Sequence, residues 1–80
     1  MRIDQYFKKT LIFKNREEAK MMCAKKLVKL NGKHSKPSKS VHTGDIIEIE
    51  TPQGIKQIKV LKTPEGNVSK EQANLYNEEI

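Results

Sequence analysis

Val28-Lys29-Leu30-Asn31-Gly32-Lys33-His34-Ser35 has the pattern of a β-hairpin. Val28, Lys29 and Leu30 alternate apolar and polar, as a strand with one buried face does. Asn31-Gly32 suits a two-residue type I′ turn, because both central positions of that turn take positive φ. Lys33-His34-Ser35 returns as the second strand. Upstream, the period changes from two to 3.6. Asn15-Arg16-Glu17-Glu18 has the form of a capping box, with Asn15 as N-cap. Ala19, Met22, Cys23 and Leu27 form the apolar face of the helix it starts, and Lys25 and Lys26 close it. Arg16 and Lys20 share one flank of this helix, one turn apart. Further upstream, Ile3, Tyr6, Phe7, Thr10 and Leu11 mark a first amphipathic helix, with Asp4 in its first turn, where a carboxylate suits the dipole.

Downstream of the hairpin, Lys36-Pro37-Ser38-Lys39-Ser40 is a basic loop and His42-Thr43-Gly44-Asp45 a turn. Ile46 to Glu50 and Ile55 to Leu61 read as two further strands joined at Thr51-Pro52-Gln53-Gly54. Ser69-Lys70-Glu71-Gln72 has the form of another capping box and predicts a short C-terminal helix carrying Ala73, Tyr76 and Ile80. Two helices followed by a small antiparallel sheet make an α+β fold. The expected core is Ile3, Tyr6, Phe7, Leu11, Ala19, Met22, Cys23 and Leu27, packed on Val28, Leu30, Ile47 and Ile49. Residues 1–62 form the expected domain and residues 63–80 a C-terminal extension.

At 80 residues there is room for one domain with a modest core. A single cysteine excludes an internal disulfide framework. No apolar run reaches the roughly 18 residues of a membrane span, and charges at the very start exclude a secretory leader, so the expectation is a cytoplasmic protein with no membrane partner. No cofactor or metal site is expected. The glycines stand alone in turns, so no glycine-rich phosphate loop is present, and His34 and His42 lack a cluster of further ligands. Cys23 lies on an apolar helix face, as a small hydrophobe does. The chain is read as non-catalytic.

Charge is the informative quantity. The formal net charge is +6 with a sequence pI near 9.6, but residues 1–40 carry net +9 and residues 41–80 net −3. A basic half of this kind is the footprint of a polyanion partner. Its cations include Arg2, Lys8 and Lys9 on the first helix, Lys14 and Arg16 at the junction, Lys20, Lys25 and Lys26 on the second helix, and Lys33, Lys36 and Lys39 on the hairpin and its loop. Arg2 and Arg16 stand out as the only arginines among the sixteen basic residues. Arginine alone offers a planar fork for bidentate contact with phosphate.

The order of these pieces resembles a known family. Met1-Arg2-Ile3-Asp4-Gln5-Tyr6-Phe7, Arg16-x-x-Ala19-Lys20, Val28-Lys29-Leu30-Asn31-Gly32-Lys33, Lys36-Pro37-Ser38 and Val41-x-x-Gly44-Asp45-Ile46-Ile47-Glu48-Ile49 look like successive motifs of the RNA-binding domain named after small-subunit ribosomal protein S-four, the αL motif. The tail from Ser69 to Tyr76 resembles that of its short stand-alone members, the ribosome quality-control and heat-shock-protein-fifteen group. The chain is expected to be a monomer. The resemblance implies binding to large-subunit rRNA and peptidyl-tRNA on stalled or split subunits, beside a tailing or rescue factor. It implies RNA contacts at Arg2, Lys14, Arg16, Lys20 and the Lys33–Lys39 loop, to which charge adds Lys8 and Lys9. Two other readings stay open: a targeting module for a tRNA- or rRNA-modifying enzyme, and a protein-interaction domain with incidental charge. The chain departs from the family at Phe13, Asn15, Lys26 and Leu27. Glycine is usual where Lys26 stands, and a left-handed helix end would cost lysine about 1 kcal/mol, so a differently shaped end is expected there.

Overall fold

The computed structural model describes residues 1–80. Helix α1 spans Ile3–Lys9 and α2 spans Arg16–Ala24. Strands β1 (Val28–Leu30), β2 (Lys33–His34), β3 (Ile46–Thr51), β4 (Gly54–Val60) and β5 (Asn77–Glu79) form one antiparallel sheet in the order β2-β1-β3-β4-β5. The α+β architecture is the one the periodicities predict.

The Asn31-Gly32 turn has φ of 51° and 85°, the positive pair that a type I′ turn requires. It sets Lys29 opposite His34 and Leu30 opposite Lys33. Asn31 also does something its turn role does not reveal. Its Oδ1 accepts from the Ile46 N–H at 2.9 Å and its Nδ2 donates to Asp45 Oδ1 at 3.1 Å, fastening the hairpin to the start of β3. The N-cap of α2 forms as expected, with Asn15 Oδ1 accepting from the Glu18 N–H at 2.9 Å.

The core gathers the inward faces of α1 and α2 onto Val28, Leu30, Ile47, Ile49, Ile58 and Val60. Most of the expected core is buried, but Leu11 is 48% exposed, Leu27 is half-buried and Met22 only packs at the margin. The reason lies in the backbone. α1 ends at Lys9, and Leu11 takes φ 63°, which carries its side chain off the stripe. Phe13 fills the place and meets Phe7 edge-on, with ring centroids 4.8 Å apart.

Two further expectations are corrected. Lys26 does adopt the left-handed conformation, with φ 61°, so the glycine-type helix end is kept despite its cost to a lysine. The predicted C-terminal helix is only a single 3-10 turn at Ala73–Leu75, followed by β5. β4 offers an open edge, and Lys59 pairs with Glu78 and Val60 with Asn77 along it. Such a short helix has little stability of its own, so ladder bonds prevail over the capping signal.

Candidate nucleic-acid interface

The site is organised by a residue whose burial the sequence does not announce. Asp4 is fully buried, in the first turn of α1 on the basic half of the chain. Its Oδ1 accepts from the Gln5 N–H at 2.7 Å. Its Oδ2 faces both arginines of the chain, with Arg2 Nη2 at 3.1 Å and Arg16 Nη2 at 3.4 Å. The two side chains remain 47% and 45% exposed. One carboxylate therefore pins two guanidiniums side by side across the α1–α2 contact and leaves half of each facing outward. Arg2 finds its carboxylate partner two residues away, within the basic half of the chain. The available signal was positional: Asp4 precedes Phe7 by three residues, on the flank of the apolar stripe.

Loop 36–40 is bound to the start of α1. The Ile3 N–H donates to the Lys39 carbonyl at 2.8 Å, the Asp4 N–H to the Pro37 carbonyl at 3.2 Å and the Val41 N–H to the Met1 carbonyl at 2.8 Å. Arg2 and Ser40 face each other in an isolated antiparallel bridge. Lys33, Lys36 and Lys39, with His34 and three serines, line a cleft of about 540 Å³ beside this loop. The serines were not singled out by sequence, although they alternate with the lysines along residues 35–40. α1's first N–H groups are thus taken by loop carbonyls, and α2's first turn carries Glu17 and Glu18. Neither helix start is a free anion seat.

Other expected contacts are dispersed. Lys14 is exposed in the connector before α2, and Lys20 is exposed one turn after Arg16. Lys8 and Lys9 lie at the far end of α1, beside Leu11, Asn67 and Val68 in a separate groove, with Lys9 Nζ 3.5 Å from the Gly66 carbonyl. Cys23 is buried, and desolvation, with the Asp4 charge adding to it, pushes its thiol up to about 11. That leaves no thiolate for nucleophilic work near neutral pH. No group of three or more His, Cys, Asp or Glu side chains could hold a metal ion, and no helix is long and apolar enough to cross a membrane.

Comparison with known proteins gives the family. The S4 domain matches residues 1–47. A Helicobacter pylori protein named RQC P-site tRNA stabilizing factor is 39% identical over 77 residues, covering 95% of this chain and 92% of that protein. A Streptococcus pneumoniae protein of the same name is 32% identical, covering 95% and 86%. Among solved structures, trimeric Vibrio cholerae Heat Shock Protein 15 superimposes with a TM-score of 0.92 at 28% identity, covering 100% of this chain and 81% of that one. The solution structure of a hypothetical protein gives 0.86 at 34% identity, covering 100% and 96%. With a match over more than half its length and relatives aligned almost end to end, the chain belongs to the S4-domain family.

Proposed function

We propose that this protein is a non-catalytic RNA-binding factor of ribosome quality control, holding tRNA and large-subunit rRNA on stalled or split subunits in the cytoplasm. It works as a single copy beside a tailing or rescue factor. Residues 1–62 supply the RNA-binding unit and residues 63–80 an extension that braces it. The observation that carries the reading is the arginine pair on Asp4. A buried carboxylate that orients two exposed guanidinium forks on the basic half of a chain serves anion recognition better than core stability. The names of the aligned relatives, stabilizing factors for P-site tRNA, supply the kind of anion.

Arg2 and Arg16 make the principal contacts, with Lys14 and Lys20 beside them and Lys8, Lys9, Lys33, Lys36 and Lys39 extending the basic surface. Binding of the purified protein to large ribosomal subunits carrying peptidyl-tRNA, measured by co-sedimentation across a salt series, tests this. Arg2→Ala and Arg16→Ala should each cost about 1–3 kcal/mol, and Lys70→Ala close to nothing. Arg16→Lys should restore little, since lysine lacks the fork. Wild-type affinity should fall steeply with salt. Equal small losses in every variant would mean diffuse attraction and no defined site.

A further inference from the structure

The antiparallel sheet ends in β5, whose outer side has no neighbouring strand. The phase of its ladder is fixed at both ends. The Leu61 N–H donates to the Tyr76 carbonyl at 2.8 Å, and the Ile80 N–H donates to the Gln57 carbonyl at 2.9 Å. An antiparallel strand alternates its peptide groups between its two sides. Tyr76, Glu78 and Ile80 therefore turn theirs toward β4, and Asn77 and Glu79 turn theirs outward. Along this edge Glu78 and Glu79 point to opposite faces of the sheet. Both are exposed, and neither is in an ion pair. Ile80, 65% exposed, stands opposite Gln57 on the face that the helices leave uncovered. Ile55, 66% exposed, lies two residues along β4 and continues that apolar strip.

An open edge takes an extended segment as a further strand, with main-chain bonds giving affinity and side chains giving selectivity. Here the charges decide which segment. A second copy of β5 would bring glutamate against glutamate, and like charges directly opposite are destabilising. A strand with lysine or arginine beside both glutamates meets opposite charge on each face of the sheet. We propose that the β5 edge docks an extended, lysine- or arginine-bearing segment of another protein as a sixth strand, with an apolar side chain against Ile80. β5 and β2 are opposite edges of the sheet, so this partner leaves the hairpin loop free. The inference does not depend on the RNA-binding reading.

Backbone amides of the full chain, followed by NMR, test this with three acetylated and amidated hexapeptides. The first has two adjacent lysines flanked on each side by valine and threonine. The second has glutamates in place of the lysines. The third keeps the lysines and has prolines in place of the valines. The first should shift the Asn77 and Glu79 amides and slow their exchange with solvent, leaving those of α2 unmoved. The second should not bind, and the third should bind about tenfold more weakly than the first, because proline has no N–H to donate. Glu79→Pro removes an outward N–H and keeps the bonds to β4, since an edge strand tolerates proline on its open side. It should lower affinity for the first peptide about tenfold and leave binding to ribosomal subunits unchanged. The combined Glu78→Lys and Glu79→Lys variant should reverse the preference and bind the second peptide. Unmoved Asn77 and Glu79 amides would overturn the proposal. Equal binding of the first and third peptides would also overturn it, by showing attraction through charge alone. Protection of the same amides in the peptide-free protein, growing with its concentration, would assign the edge to a second copy and overturn it as well.

Discussion

A carboxylate without exposed surface persists only when its oxygens are answered, and Asp4 is answered by one backbone N–H and two guanidiniums. Asp4→Asn keeps the shape but turns either an uncharged oxygen or an NH2 group toward the arginines. Loss of two charge-assisted bonds to half-exposed partners should cost about 1–3 kcal/mol, seen as a fall in Tm of roughly 5–15 °C. RNA affinity should fall with it, because the forks lose their fixed orientation. An Asp4→Asn protein with wild-type RNA affinity would show that the arginines need no such anchor. A second test at this scale concerns protons. Burial pushes the Tyr6 phenol up to about 12 and the Cys23 thiol up to about 11, from ordinary values of 10.0 and 9.0. Both groups hold their protons more tightly when folded. The stability they contribute is therefore complete below about pH 9 and lost as pH rises through 11 and 12, by a few kcal/mol in total. Thermal unfolding from pH 7 to 12 should be flat at first and then decline. Tyr6→Phe should remove the uppermost part of that decline. A decline beginning below pH 8 would point to other groups. Cys23 should also resist alkylation at pH 8 until the protein is unfolded.

Elements whose determinants are local were legible in the sequence. The hairpin follows from Asn31-Gly32, α2 from its Asn15 cap and apolar stripe, and β3 and β4 from alternation. Elements decided by distant partners were not. The segment Ser69-Lys70-Glu71-Gln72 reads as a helix start, and only the open edge of β4 explains why the chain extends at residue 77 instead. The same division runs through the site. Scarcity and fork chemistry pick out Arg2 and Arg16 from sequence. Their common tether does not show, because an acid in a first turn already has an ordinary surface explanation, and its burial depends on α2 and loop 36–40 closing around it. Lys26 gives a prediction at this scale. Its φ of 61° suits glycine, and its side chain is exposed. Lys26→Gly should stabilise the end of α2 by about 1 kcal/mol at most, raising Tm by roughly 4–8 °C or somewhat less. A lower Tm would mean that the added freedom of the unfolded glycine outweighs the strain relieved.

Taken whole, the molecule carries a positive half and a mildly negative one, and the fold keeps the arginine pair and the lysine cleft adjacent through the contact of Arg2 with Ser40. Elsewhere, α1 meets the C-terminal segment. The Tyr6 hydroxyl donates to the Tyr76 carbonyl at 2.8 Å, and the same carbonyl accepts from the Leu61 N–H at 2.8 Å. Lys62 Nζ stands 4.9 Å over the Tyr76 ring. A phenol with no exposed surface in α1 thus has its acceptor seventy residues further on. Protein synthesis is vectorial, and domains fold as their parts emerge. A nascent chain on which the hairpin, β3 and β4 have already formed still leaves the Tyr6 hydroxyl without its acceptor until Tyr76 appears. Chains arrested near residue 70 should therefore be cut readily by protease around α1, while chains extended past residue 80 resist, so that α1, translated first, is among the last parts of this protein to be secured.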